Sequence, residues 1–320
     1  MLSFHLAVKE DFEAVNGQIL AQLHSNVDLV ENIGHYIIEA GGKRLRPLLV
    51  LLVANSLKTT SRAHIDLAVI IEFIHTATLL HDDVVDLSEL RRNRPTANAK
   101  WGNAPSVLVG DFLYSRAFQM MVRLGSMDVM DILSEATNII AEGEVLQLVN
   151  AGDANTTEQR YLDVINYKTA KLFEAAAEIG AIAANASREQ RLAFKKFGHH
   201  LGMAFQLMDD ILDYTGDMEK LGKNIGDDLS EGKPTLPLIY AMQNSSLEQK
   251  NLIAHAITDK TAENFLHIAN IVQSSGALKY CKTMADKQIE SALEALTALP
   301  DSVYKTELCK LARFSVSRSF

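Results

Sequence analysis

Two short runs of this chain have the make-up of a divalent-cation site. They are Asp82-Asp83-Val84-Val85-Asp86 and Asp209-Asp210-Ile211-Leu212-Asp213, both of the form DDxxD. Each lies at the polar end of a long apolar stretch with helical spacing. Positions i and i+4 of a helix share a face, so Asp82 projects with Asp86 and Asp209 with Asp213. Two unit charges about 4 Å apart repel by roughly 4 kcal/mol at an effective dielectric of 20. A folded chain keeps such a cluster only where cations neutralise it or some carboxyls stay protonated. Hard divalent ions with all-oxygen ligands, Mg²⁺ above all, meet that need. One acidic run in an acidic chain is ordinarily a solvated helix end; the same pattern twice, each time after apolar residues, points to a site.

Magnesium prefers to bridge a few carboxylates to phosphate oxygens, and the chain carries cations suited to a polyphosphate. Gly41-Gly42-Lys43-Arg44-Leu45-Arg46-Pro47 reads as a helix start, with two glycines for close backbone approach and Lys43 and Arg46 three apart on one face. Arg91-Arg92 follows the first aspartate run, Lys168 lies mid-helix, and Lys223 and Lys233 lie on the glycine-containing loop after the second run. Arginine suits bidentate phosphate capture and lysine acts as a point charge. A nucleotide-binding P-loop is excluded: Gly226 and Gly232-Lys233 have the wrong spacing and Pro234 stands where Ser or Thr is needed. His199-His200 point about 100° apart on a helix and read as surface residues.

Helices must position these groups. Among 320 residues there are six prolines, and the proline-free stretches carry apolar residues every three to four positions. That spacing predicts helices near 5–40 (interrupted), 44–57, 62–87, 105–124, 128–151, 157–185, 189–215, 234–243, 247–257, 261–273, 275–298 and 301–316. Ser61, Asp128, Thr157 and Ser187 are the expected N-caps. Loops are expected over 88–102 and 216–234. With no linker and no repeat beyond the DDxxD pair, the expectation is a single all-α domain over 1–320. The chain is 48% hydrophobic and 22% charged with a net charge of −9, which argues against nucleic acid or an anionic membrane as partner. Cys281 and Cys309 have no paired spacing and read as thiols of a reducing compartment. The first residues lack a basic start followed by an apolar run, and the longest apolar run, 47–54, is too short to span a bilayer. A cytoplasmic protein without stable membrane insertion is expected.

Taken together, and in order, these segments resemble the trans-isoprenyl diphosphate synthases: GGKRLRP at 41–47, LLHDDVVD at 79–86, RRNRPTAN at 91–98, GDFLYSRAF at 110–118, EGEVLQL at 142–148, KTAKLFEAAA at 168–177, FQLMDDILDYTGD at 205–217 and LGKNIGDDLSEGKPTLPL at 221–238. Runs such as IEFIHTATLLHDD look like the octaprenyl-producing bacterial branch. The resemblance implies a helical bundle of the isoprenoid synthase type with a central cavity. It implies three Mg²⁺ ions held by Asp82, Asp86 and Asp209, with Asp83, Asp210 and Asp213 in support. It implies an allylic diphosphate, held also by Arg91, Lys168, Lys223 and Lys233, and isopentenyl diphosphate held by Lys43, Arg46, His75 and Arg92. Thr169 and Gln206 would turn oxygen dipoles toward the allylic cation, and Asp227 would orient a lysine or a metal-bound water. A homodimer is implied as well.

In this family, bulky aromatics four or five residues before the first DDxxD block product growth. Here those positions are Ala77 and Thr78, so a long product is expected; the branch resemblance implies octaprenyl diphosphate for quinone side chains, with shorter- or longer-chain synthases of the family (geranylgeranyl, heptaprenyl, solanesyl) as alternatives. The next floor would lie around Phe118, Met120 and Met121. The family commonly has glycine after the paired arginines; this chain has Asn93, the best non-glycine residue for a left-handed backbone. Three rivals are weighed. A terpene cyclase would carry a different second metal motif and lack the GGKRLRP segment. An HD-type phosphohydrolase, suggested by His81-Asp82, needs further histidines. A non-catalytic subunit of a heteromeric synthase would have lost aspartates or the basic segment.

Overall fold

In the computed structural model, which describes residues 2–215 and 226–317, nearly all regular structure is helical. The helices are α1 Ser3–Leu6, α2 Lys9–Gln22, α3 Asp28–Glu39, α4 Leu45–Ser56, α5 Ala63–Val85, α6 Ala97–Trp101, α7 Asn103–Leu124, α8 Met127–Asn150, α9 Glu158–Ile165, α10 Lys171–Ala183 and α11 Arg188–Thr215. Beyond the second aspartate run come Asp227–Ser230, Leu236–Gln243, Leu247–Asp259, Phe265–Ser274, Ala277–Ala295 and Val303–Ser317. The contacts group the chain into two compact units. The first comprises Met1–Thr137, Leu172–Gly198 and Ala295–Leu311; the second comprises Asn138–Lys171, His199–Glu294 and Ala312–Phe320.

In the first unit, α4 is buried all round: Leu48 to Ala54 have no exposed surface, as expected of a helix apolar on every face. Backbones approach closely around it. A Cβ on Gly180 of α10 would come within 2.8 Å of the Val50 carbonyl of α4, and one on Gly198 of α11 within 2.4 Å of the Phe173 carbonyl. Helix α5 packs extensively on α7 and α4. It is long and apolar enough to cross a membrane by length and composition, yet most of it is buried inside the fold, so it reads as a core helix. The second unit has its own core, in which Leu238, Ala241, Ile253, Ile257, Ile268 and Val272 interlock. Burying each such Leu or Ile contributes about 1.5–3 kcal/mol.

Local structure departs from expectation at a few points. Thr157 and Ser187 do cap, accepting from the Arg160 and Gln190 amides; Ser61 does not cap α5, whose N-cap is Arg62, although it accepts from the Ala63 amide. Asp128 does not cap either: Ser126 accepts from the Val129 amide at 3.4 Å, while Asp128 pairs with Arg191 at 2.7 Å. Lys43 is not on a helix face. Arg44, with φ 43° and ψ 46°, is a left-handed N-cap and α4 begins at Leu45, so Arg46 alone of the basic pair is helical. The loop expected over 88–102 contains a small antiparallel ladder, Leu90 with Pro95 and Arg91 with Arg94, and then α6. The two residues between, Arg92 and Asn93, have φ 54° and 62°, as a type I′ hairpin turn requires. Finally, the helix expected over 157–185 is interrupted by a π-helical turn at Asn166–Ala170.

Candidate active site

The first aspartate run closes α5 at its carboxyl end, and the second lies in the last described turns of α11. In the first unit, α5 ends at Val85 and Asp86 is its C-cap. Carbonyl ends of a helix carry about half a negative charge, so the carboxylates stand where the helix itself repels them, which sharpens the demand for an external cation. Asp82 and Asp86 are half-buried and Asp83 is fully buried. Asp83 turns to Arg91, which donates from Nε at 2.8 and 3.1 Å and from the guanidinium end at 2.7 Å. Burial raises the Asp83 pKa against the pull of this arginine. Arg91 therefore sits in a fork-to-carboxylate pair with the middle aspartate.

A second cationic group of the first unit surrounds His75. Arg46 donates to His75 Nε2 at 3.1 Å and lays its guanidinium 4.4 Å over the Phe173 ring. Arginine can only donate, so Nε2 is the acceptor and the ring is neutral. Burial first, then Arg46 and Arg92, hold the His75 pKa well below the usual range. Arg92 lies directly against Gly42, where a Cβ would come within 2.6 Å of its guanidinium; this is the close approach that glycine in the 41–47 segment permits. Lys43 is exposed. Glu72, three residues before His75 and 7% exposed, faces this group. Arg44 Nε is 3.8 Å from its carboxylate, and burial raises its pKa against the pull of Arg44, Arg46 and Arg92. Reading the sequence missed Glu72. Its signal was available: it is the sole acidic residue between Asp66 and Asp82 in an otherwise apolar helix.

In the second unit, α11 carries Asp209 half-buried and Asp210 and Asp213 buried. Asp210 accepts from the Tyr161 hydroxyl at 2.5 Å and from the Gln206 amide at 2.8 Å. Burial first, then Asp228, raise its pKa to about 7. Gln206 in turn accepts from the Thr169 hydroxyl at 2.9 Å. Thr169 and Lys168 lie on the π-turn, a device found mostly at functional positions. Gly143 of α8 makes room for it: a Cβ there would come within 2.8 Å of the Lys168 amide. Lys168 Nζ is 2.6 Å from Glu144. Lys233 pairs with Glu231, and Asp227 opens the short helix Asp227–Ser230. Lys223 lies outside the described residues. Tyr161 was also missed, because on sequence it reads as one more apolar position of α9.

Ala77 is fully buried in α5, and Met120 and Met121 are buried in α7. Thr78 is half-buried and donates to the His75 carbonyl. Among the described residues no three His, Cys, Asp or Glu side chains converge as a finished ion cage. The donor chemistry nevertheless fits Mg²⁺, which keeps open positions for phosphate oxygens rather than taking an all-protein cage.

The polyprenyl synthetase profile matches residues 27–274, and the chain belongs to that family. It is 49% identical to the octaprenyl diphosphate synthase of Escherichia coli K12 over 310 residues, 97% of this chain and 96% of the relative. It is 50% identical to the geranyl-diphosphate-specific all-trans-nonaprenyl-diphosphate synthase of Rhodobacter capsulatus over 312 residues, covering 97% and 96%. Among solved structures, a polyprenyl synthase from Caulobacter crescentus complexed with calcium and isoprenyl diphosphate superposes with a TM-score of 0.96 at 43% identity, covering 99% of this chain and 97% of that one. The protein is a trans-prenyltransferase of the all-α isoprenoid-synthase fold.

Proposed function

We propose that the protein condenses isopentenyl diphosphate repeatedly onto an allylic diphosphate, farnesyl diphosphate in the first instance, and stops at octaprenyl diphosphate. Its product would supply quinone side chains. The observation that carries this reading is the coexistence of two DDxxD runs with a separate group of Arg46 and Arg92 around a neutral His75. A cyclase, with one diphosphate to bind, has no use for the second group. Retention of every aspartate and of the basic segment likewise favours a self-sufficient catalyst over an inert subunit, with 1–320 acting as one catalytic domain.

In the first unit, Asp82 and Asp86 would hold Mg²⁺, with Arg91 beside them for the allylic diphosphate. Lys43, Arg46, His75 and Arg92 would receive the diphosphate of isopentenyl diphosphate. In the second unit, Asp209 would ligate Mg²⁺ with Asp210 and Asp213 behind it, and Lys168, Lys223 and Lys233 would neutralise phosphate oxygens. Mg²⁺ ions, three by the resemblance, would supply positive charge against the leaving diphosphate when held there. Thr169 and Gln206 turn oxygens toward the carbon left electron-poor, and the apolar helix walls exclude the water that would quench it. The released diphosphate is the base that takes the proton, since the motifs supply no protein base. Exposed Leu108 and Val122 on α7 support a homodimer, and the net charge and reduced thiols support a cytoplasmic setting.

Purified protein given Mg²⁺, farnesyl diphosphate and labelled isopentenyl diphosphate should give a product of eight isoprene units. The nonaprenyl-forming relative makes nine units the neighbouring outcome. Products ending at three or four units would sink the long-chain reading. Ala77→Phe should shorten the product; an unchanged product ladder would show that Ala77 does not face the growing chain, and would move attention to Thr78, Met120 and Met121.

A further inference from the structure

One polar chain in the second unit reaches further than the reaction above requires. Thr169 Oγ1 donates to Gln206 Oε1, Gln206 Nε2 donates to Asp210 Oδ1, and Tyr161 Oη donates to Asp210 Oδ2. The directions follow from inventory when Asp210 is ionised. With both Asp210 oxygens accepting, the Gln206 amide must turn its NH₂ group to Asp210 and its carbonyl to Thr169. The threonine hydroxyl has a single proton and commits it to that carbonyl. What Thr169 then offers to anything else is lone pairs. A carbon bearing positive charge needs acceptors of this kind, and a hydroxyl free to rotate could present its proton instead.

Tyr161 is the far end of this chain. It is 5% exposed, comes from α9, one turn before the π-turn that carries Thr169, and spends its hydroxyl on the oxygen of Asp210 that Gln206 does not use. Without that donor the carboxylate is free to rotate about its own bond. It could then take both hydrogen bonds from Gln206 or release the amide altogether. Buried polar chains of this sort are stiff when every member is satisfied and loose when one is not.

We propose that Tyr161 is a positioning residue for the cationic step. It fixes the plane of Asp210, Asp210 fixes which way the Gln206 amide faces, and Gln206 holds the Thr169 hydroxyl so that its lone pairs face the allylic carbon. This rests on the prenyl-transfer reading above. Wild-type protein inactive with Mg²⁺ and both diphosphates would sink that reading, whereas the outcomes below bear on Tyr161 alone.

The test is Tyr161→Phe, which keeps the ring and removes the donor. Turnover should fall roughly tenfold, the scale on which losing a supporting partner lowers activity, while KM for isopentenyl diphosphate stays unchanged. Binding should separate two inert analogues. An allylic analogue with an ammonium nitrogen in place of the cationic carbon, bound together with inorganic diphosphate, should bind about tenfold more weakly to the variant. A thiolo-diphosphate analogue with a neutral allylic carbon should bind as it does to wild type. In a Gln206→Leu background the same Tyr161→Phe change should have no further effect, since its route runs through that amide. Unchanged turnover, equal weakening of both analogues, or effects that multiply in the double variant would each overturn the proposal. Should Tyr161→Phe not fold, 3-fluorotyrosine at 161 preserves the packing and strengthens the donor. It must then shift the ammonium analogue's Kd and leave the thiolo analogue's alone, and no shift overturns the proposal as well.

Discussion

The two DDxxD runs are the same five-residue pattern, yet their middle residues live in opposite electrostatic surroundings. Asp83 is gripped by the Arg91 guanidinium, a full positive charge. Asp210 is gripped by a phenol and an amide, both neutral. The first run thus carries a built-in counter-ion for one of its charges. At Asp210 the two hydrogen-bonding partners bring no charge, and burial with Asp228 nearby raises its pKa to about 7. A motif specifies which groups are present; its neighbours decide what charge those groups carry before substrate arrives.

The outermost aspartates give the largest expected effect. Asp82→Ala and Asp209→Ala should each reduce turnover by roughly 10²–10³-fold, since each removes several kcal/mol of charge stabilisation at the metal. Circular dichroism should show the helices intact. If one variant keeps near-wild-type rates, the two runs do not share the metal work and the comparison fails at its base.

The middle aspartates should part company in stability. Arg91→Leu strands the fully buried Asp83 charge and should cost about 3 kcal/mol, the lower end for a broken buried pair because Arg91 is partly exposed. Gln206→Leu removes one neutral donor from Asp210 and should cost about 1–2 kcal/mol. Urea unfolding of the metal-free protein measures both, and equal losses would erase the distinction between charged and neutral support.

A further effect is spread over pH. The Asp210 pKa is raised above the ordinary aspartate value of 3.8 to about 7. Its contribution to stability is therefore fully present below the ordinary aspartate range and is lost as pH rises through about 7. Metal-free wild type should lose ground to Asp210→Asn across that window, by at most about 1.4 kcal/mol per pH unit. Saturating Mg²⁺ should flatten the curve. A flat curve without metal would place Asp210 in an ordinary setting like that of an exposed carboxylate.

The sequence made the helices legible because three-to-four-residue spacing is strong over α4, α5, α7 and α11, and the charged residues that interrupt it stand out by composition. Asn93 in a left-handed turn was legible for the same local reason: few side chains tolerate that backbone. What escaped was set by three-dimensional partners. Tyr161 hydrogen-bonds 49 residues away along the chain, and nothing near it in sequence distinguishes its hydroxyl from a packing ring. Lys43 was misplaced onto a helix because the left-handed Arg44 delays the helix start by one residue, and side-chain type alone does not reveal that. The ladder at 90–95 has two residues per strand, too few for an alternation to register.

The π-turn at Asn166–Ala170 can also be seen as a phase adjuster. One residue more than a regular turn advances everything beyond it by about 100° around the axis. Upstream, α9 keeps Tyr161, Val164 and Ile165 inward; downstream, α10 keeps Phe173, Ala176, Ala177 and Gly180 inward. Shortening the segment by one residue would restore uniform winding and change the bearing of Lys168 and Thr169. Single-residue deletions anywhere in 166–170 should therefore be tolerated far less well than substitutions there.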